Sequence, residues 1–104
     1  MKGSTARKLR QIPAGYLLVG IDPHKKRHAV AIMTPQAVVL KKFKVDSSLD
    51  GFIHLCQQVD HSMKHQGAQG AMYSIEAGSH FWRNLAYFLE EHSRPFRLVN
   101  PYTL

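Results

Sequence analysis

The chain has 104 residues, a length that suits one domain with its own hydrophobic core. Its single cysteine, Cys56, excludes an internal disulfide, and no apolar run approaches the roughly 18 residues of a membrane span. With no secretory signal pattern in view, we expect a reducing, cytoplasmic setting. Fourteen Lys and Arg against seven Asp and Glu give a formal net charge of +7, which favours a polyanionic partner such as nucleic acid over a merely soluble basic surface.

The first segment, residues 1–14, predicts a basic flexible arm, because it carries four cations and few large apolar groups. The structured part is predicted as residues 15–104. It opens with a continuous apolar run over residues 16–22, which ends in Asp22 and is typical of a strand covered on both faces.

A polar turn over residues 23–27 leads to a second predicted strand at 28–33. A third strand is predicted at 37–44, where alternating lysines fit the edge of a sheet and discourage further pairing. Turns this short favour antiparallel neighbours, so strands one to three are expected to form a meander.

The hydrophobic period then becomes helical from Leu49 to about residue 65, after N-cap oxygens at residues 46–48. Gly67 and Gly70 are predicted to end this helix. A fourth strand at 71–76 ends in Glu76.

Ser79 is predicted as the N-cap of a second helix, with Trp82 in the core. A short fifth strand is expected at 96–99. The element order indicates an α/β fold: a mixed five-stranded sheet in the order 3-2-1-4-5, with two crossover helices. A right-handed helical crossover places strand four parallel to strand one.

Asp22 and Glu76 are the candidate catalytic and metal-binding residues. They end neighbouring parallel strands about 4.8 Å apart, at the edge where open α/β sheets bind ligands. Two such carboxylates suit Mg²⁺, which prefers oxygen ligands and retains waters. Singly, a turn-forming Asp22 and an exposed strand-end Glu76 are the simpler interpretations. A two-ion phosphodiester site usually needs three or four acids, and the other five acids are predicted as helix caps or solvated helix faces.

Three cations, Lys25, Lys26 and Arg27, directly follow the first acid and are candidates for contacting nucleic-acid phosphates. A solvated charged turn is the alternative. The seven histidines, including the i, i+4 pair His61 and His65, are expected to be solvated or to face phosphates, because no cysteine pair supports a structural zinc site.

Three motifs together resemble a known family. They are LLVGIDPHKKRHAVAI at 17–32, IEAGSHFWRNLAYFLEEH at 75–92 and FRLVNP at 96–101. In this order they are similar to the amino-terminal domain of the DEDD-type transposases of the insertion-sequence-110 family. The resemblance covers roughly residues 16–104.

The resemblance implies a Holliday-junction-resolvase version of the RNase H fold, with four acids that bind Mg²⁺ and act on DNA strands. Asp22 and Glu76 match the first two acids. The family's third and fourth acids follow its Asn-Pro segment, beyond the end of this chain, so we expect the isolated chain to be inactive. The family also implies a carboxyl-terminal domain with a serine used in strand exchange, a possible guide RNA, and a homo-oligomer in the full-length protein.

DNA transposition or site-specific recombination by the parent protein is therefore the predicted function. The first alternative is a non-catalytic nucleic-acid-binding module with the same fold. A second is a sugar-kinase or actin-like ATPase lobe, which shares the meander and helix. That class needs a Gly-rich hairpin after the first acid, and here no glycine lies between Gly20 and Gly51.

Overall fold

Five strands and two helices make up residues 12–100, the part of the chain that this computed structural model describes. They follow the predicted order. Their bounds are β1 (Tyr16–Asp22), β2 (Arg27–Met33), β3 (Val39–Asp46), α1 (Leu49–Gln66), β4 (Gly70–Glu76), α2 (Arg83–Glu91) and β5 (Phe96–Val99).

The strands form one mixed sheet in the order β3-β2-β1-β4-β5, which confirms the predicted topology. β1 lies at the centre, antiparallel to β2 and parallel to β4. β3 pairs antiparallel with β2, and β5 pairs parallel with β4, so these two strands are the edges. The lysine-bearing third strand is thus an edge strand, as predicted.

Both helices pack on one face of the sheet and build the core there. Alternate residues of β1, β2 and β4 point to this face and meet buried side chains of α1 and α2. The largest fully buried side chains in this layer are Tyr73, Ile32, Leu55, Ile75, Leu85 and Leu89.

The other strand residues form what we call the open face. Residues of this parity, including Gly20 and Ser74, line an open depression of about 740 Å³. We predicted cover on both faces of β1, but in the described residues the helices cover only one. The apolar run of β1 still fits, because Leu18 on the open face is also buried, at 7 % exposure.

Helix α1 has the caps that its sequence predicts. Ser48 is extended, with φ −158°, and its Oγ accepts a hydrogen bond from Gly51 N at 3.1 Å. Asp50 lies in the first turn, and Gly67 ends the helix in the left-handed conformation with φ +63°. Gly70, which we also expected at this end, is instead the first residue of β4.

The predicted cap of α2 is wrong. The helix begins at Arg83, after Trp82, and no side chain caps it. Ser79 Oγ instead accepts from Phe81 N at 3.3 Å, which closes a local turn. Trp82 is half-buried and packs against the core.

Three strands also differ from the prediction in their bounds. β2 begins one residue earlier than predicted, at Arg27, and β4 begins at Gly70. β3 runs from Val39 to Asp46 because residue 37 belongs to the preceding turn: Ala37 has a positive φ of 66°, and its N donates to Thr34 O at 2.9 Å.

The predicted arm, residues 1–14, falls mostly outside the described residues. Of its last three residues, Ile12 is buried, and Pro13 O accepts a hydrogen bond from Tyr16 N at 3.1 Å. Among the helices described, none is long and apolar enough to cross a membrane.

Candidate metal and nucleic-acid site

The two acids singled out in the sequence end adjacent parallel strands. Asp22 and Glu76 each come one residue after the register pair Ile21 and Ile75. Both side chains are exposed and line the depression on the open face. Neighbouring strands lie about 4.8 Å apart, so the two carboxylates are neighbours at one end of that face.

Asp22 has one polar partner close in sequence. His24 Nε2 and Asp22 Oδ2 lie 3.1 Å apart. These side chains are 62 % and 54 % exposed, so water screens their attraction and the contact is weak. Asp22 Oδ1 therefore keeps its capacity to bind another group.

His28 anchors the turn that follows Asp22. Its ring is fully buried, and its Nδ1 accepts a hydrogen bond from the backbone N of His24 at 3.2 Å. The ring stacks on Phe52 of α1, with centroids 5.9 Å apart. We predicted solvated or phosphate-facing histidines, and for His28 this is wrong, because its position in β2 points to the helix-covered face.

Burial lowers the pKa of His28, and the nearby His24 lowers it further, while Asp22 raises it. The ring is therefore neutral, with its proton on Nε2, since Nδ1 acts as an acceptor. Nε2 has no hydrogen-bond partner in the described residues. The turn after the first acid thus rests on a neutral, buried imidazole.

The three cations after Asp22 occupy two different settings. Lys25 and Lys26 lie in the exposed turn between β1 and β2. Arg27 is the first residue of β2, on the open face, and its Nε lies 3.5 Å from Asp46 Oδ1. All three cations thus follow the first acid within five positions of the chain. Arg27 is partly engaged by its own ion pair with Asp46.

The remaining acids do not join Asp22 and Glu76. Asp60 pairs with Arg94, Asp46 with Arg27, and Asp50 lies in the first turn of α1. Residues 12–100 contain no cluster of three or more His, Cys, Asp or Glu side chains that could hold a metal ion. Two exposed carboxylates fit the donor set of Mg²⁺ as a partial site, in which water and substrate phosphate supply the other oxygens.

Two lysines of β3 line the same depression as the acids. The sequence predicted for them only a role in protecting the edge of the sheet. Lys42 and Lys44 line the depression, whereas Lys41 points to the helix side and donates to Gln58 of α1. The alternation along β3 already separates Lys41 from Lys42 and Lys44 in the sequence. Which face of the sheet each lysine occupies becomes clear only from the packing of the helices.

Comparison with known proteins gives the family. The family of DEDD transposases of insertion sequence 110, described as a transposase, matches residues 19–104. The chain belongs to this family. No curated protein sequence matches the chain significantly.

Among solved structures, this chain is similar to the crystal structure of the Aquifex aeolicus member of the Ppx/GppA protein family. The sequence identity is 11 % and the TM-score 0.44. The similarity covers 83 % of this chain and 35 % of that chain, so this chain spans about a third of the length of that structural relative.

Proposed function

We propose that this chain is the amino-terminal part of the catalytic domain of a metal-dependent transposase or recombinase that acts on DNA strands in the cytoplasm. Asp22 and Glu76 would supply two of its Mg²⁺ ligands. The observation that carries the proposal is their register: they end adjacent parallel strands, on one face, in a chain that belongs to a DEDD transposase family.

Two carboxylates on rigid strand ends are suited to hold a hard cation between them. When bound, Mg²⁺ would supply Lewis-acid polarisation of a phosphodiester oxygen. The chain's own residues would hold that cation, keep the turn after Asp22 fixed through His28, and bring Lys25 and Lys26 to the phosphates on either side. Because only two acids meet here, we propose that the 104 residues alone do not cut DNA.

A metal titration on the 104-residue chain tests the proposal without relying on activity. Mn²⁺, used as a paramagnetic substitute for Mg²⁺, should broaden the amide signals at the ends of β1 and β4. Asp22→Asn and Glu76→Gln should each abolish this broadening. The matched control, Glu90→Gln, removes an exposed acid from α2 and should leave it unchanged.

Broadening that persists in the Asp22→Asn, Glu76→Gln double variant would contradict the metal site. Robust DNA cleavage by the 104 residues, lost in Asp22→Ala, would contradict the proposed inactivity. A non-catalytic nucleic-acid-binding module remains the second candidate, because the net charge of +7 suits a polyanion with or without a metal. DNA binding unaffected by metal and by both acid substitutions would favour it.

A further inference from the structure

Within residues 12–100, His28 Nε2 is the one buried side-chain nitrogen or oxygen without a hydrogen-bond partner. The ring is fully buried on the helix-covered face and lies nearly parallel to the ring of Phe52, with 5° between the two planes. A buried N–H group without a partner costs free energy, and a carbon ring of similar size would avoid that cost. Packing against Phe52 therefore does not require an imidazole at this position.

The second ring nitrogen of His28 supplies the reason for an imidazole. Nδ1 accepts a hydrogen bond from the backbone N of His24 at 3.2 Å. A neutral imidazole accepts at Nδ1 only when its proton is on Nε2, so the tautomer that binds the turn is also the one that leaves Nε2–H without a partner. The turn thus gains an acceptor that no apolar side chain could provide.

Core packing fixes the position of this acceptor. The ring of Phe52, on which His28 stacks, itself contacts the ring of Phe88 in α2, with centroids 5.6 Å apart. The imidazole therefore belongs to the body that the sheet and both helices build. Residues 23–26 lie between β1 and β2, outside both strands. The hydrogen bond from His24 N joins this turn to the core.

The turn, in this position, places a ring against the first acid. His24 Nε2 lies 3.1 Å from Asp22 Oδ2. Two exposed side chains that both move freely gain little from such a contact, because holding them in one geometry costs rotamer entropy. Anchoring the backbone of His24 reduces that cost. A series of contacts therefore runs from Phe52 through His28 and His24 to the carboxylate of Asp22.

We propose that His28 is a positioning residue for the candidate metal site. Its Nδ1 holds His24 in place, and His24 in turn restricts the rotamers of Asp22 to one that suits metal binding. This inference rests on the proposed function, because it names a residue that prepares the Mg²⁺ site without touching the ion. Loss of a residue that orients a metal ligand weakens metal binding by roughly ten- to a hundredfold, and His28 acts one contact further away.

Three substitutions at position 28 separate the acceptor from the packing. His28→Phe keeps an aromatic ring on Phe52 and removes both the acceptor and the unpartnered N–H. His28→Leu also removes both, whereas His28→Gln has a similar size to His28→Leu and retains an oxygen that can accept from His24 N. We expect His28→Phe and His28→Leu to raise the Mn²⁺ dissociation constant roughly fivefold, and His28→Gln to raise it less.

Stability provides a readout that separates positioning from packing. Because His28→Phe removes a buried N–H without a partner, its urea midpoint should equal or exceed that of the wild type while its Mn²⁺ affinity falls. Ile32→Val is the core control, on the same strand and the same face. It should lower the urea midpoint and leave Mn²⁺ affinity unchanged.

Two results of these titrations would overturn the proposal. One is a wild-type Mn²⁺ affinity in both His28→Phe and His28→Leu. The other is equal dissociation constants for His28→Leu and His28→Gln, which would show that an acceptor at this position does not matter. This second comparison decides the question even if His28→Phe is less stable than the wild type.

NMR of the chain with ¹⁵N-labelled histidine tests the contact directly. At pH 7.5 the wild-type His28 ring should show the tautomer with its proton on Nε2. The His24 amide should exchange with water more slowly in the wild type than in His28→Leu. The opposite tautomer, or equal exchange rates, would contradict the hydrogen bond to Nδ1 and with it the proposal.

These outcomes are separable from failure of the proposed function. A wild-type chain that binds Mn²⁺ through Asp22 and Glu76, with an affinity that substitutions of His28 do not change, would retain the metal site and lose the positioning role. If the wild type binds no Mn²⁺, the metal site and the positioning role are both wrong, even where slow exchange of the His24 amide shows that His28 holds the turn.

Discussion

Arg94 holds Asp60 with both terminal nitrogens: Nη1 lies 2.8 Å from Oδ1, and Nη2 lies 2.9 Å from Oδ2. The same Nη1 donates to the hydroxyl of Tyr73 at 3.1 Å. One guanidinium therefore ties α1 to β4 and to the segment between α2 and β5. A bidentate ion pair of this kind is more rigid than a surface ion pair with a single contact.

Asp60→Asn should destabilise the chain by about 1 kcal/mol, a modest value because the Asp60 side chain is 54 % exposed. The Arg94 hydrogen bonds lower the pKa of Asp60. The native state therefore binds fewer protons, and the contribution is present above the unfolded pKa near 3.8 and is lost as pH falls through the lower native pKa.

Urea unfolding of the wild type and Asp60→Asn at pH 7 and pH 3 measures this difference. It should shrink at the lower pH. Glu90→Gln, an exposed acid on α2, controls for net charge and should change stability little at either pH. A wild-type advantage that stays constant down to pH 3 would contradict the role given to the ion pair.

His28 predicts a second pH dependence in a different window. Its pKa is lowered in the native state, so the unfolded chain takes up a proton first as pH falls below about 6.5. The contribution of His28 to the free energy of unfolding is therefore fully present above about pH 6.5, and it is lost as pH falls from there through the lower native pKa. His28→Gln should flatten the stability profile between pH 7.5 and 5.5, measured by thermal unfolding.

The exposed His65 provides the matched control. His65→Gln should leave the slope between pH 7.5 and 5.5 as in the wild type. If His28→Gln keeps the wild-type slope while lowering stability equally at every pH, then the ring contributes packing against Phe52 but no proton linkage.

Gly51 predicts a steric effect in the first turn of α1. A Cβ at this position would lie 1.9 Å from Asp46 O and 2.7 Å from Asp46 C, both backbone atoms. Gly51→Ala should therefore destabilise the chain by about 1–3 kcal/mol, although alanine is intrinsically the better helix former. Denaturant unfolding gives the value.

Gly70→Ala is the comparison for this overlap. Its Cβ would meet the ring of Tyr16, 2.6 Å away at Cζ, and that side chain can rotate aside. The Gly70 variant should lose less stability than the Gly51 variant. The reverse order would show that the end of β3 yields more easily than the Tyr16 ring.

The sequence predicted the order of the sheet, and with it the adjacent strand ends that carry Asp22 and Glu76, because local signals determine both. Apolar runs ending in acids, short turns and a right-handed crossover leave few other arrangements. The sequence did not predict features that depend on contacts with distant parts of the chain. The close approach at Gly51, the burial of His28 and the question of which lysines of β3 face the helices all depend on where α1 packs on the sheet.

The helix α1 shows the same limit within one element. The helical spacing of apolar residues that begins at Leu49 includes Ile53, yet these two side chains are 62 % and 41 % exposed. The buried stripe instead includes Leu55, which is fully buried. Periodicity finds an amphipathic helix, but its phase against the sheet is set by the packing partner.

Cys56 predicts slow thiol chemistry in the native state. It is buried on α1, and burial raises its pKa, while the Tyr73 hydroxyl, 3.7 Å from Sγ, opposes that rise. Little thiolate forms at neutral pH, and reagents reach it only when the chain opens. Modification by a disulfide reagent at pH 8 should therefore be far slower in the native chain than in urea.

A cysteine on the exposed side of the same helix provides the control. The double variant Cys56→Ser/His61→Cys places one thiol where the native side chain is exposed, and it should react rapidly in both conditions. If native Cys56 reacts as fast as the thiol at position 61, the core around Tyr73 and α1 opens far more readily than its packing indicates.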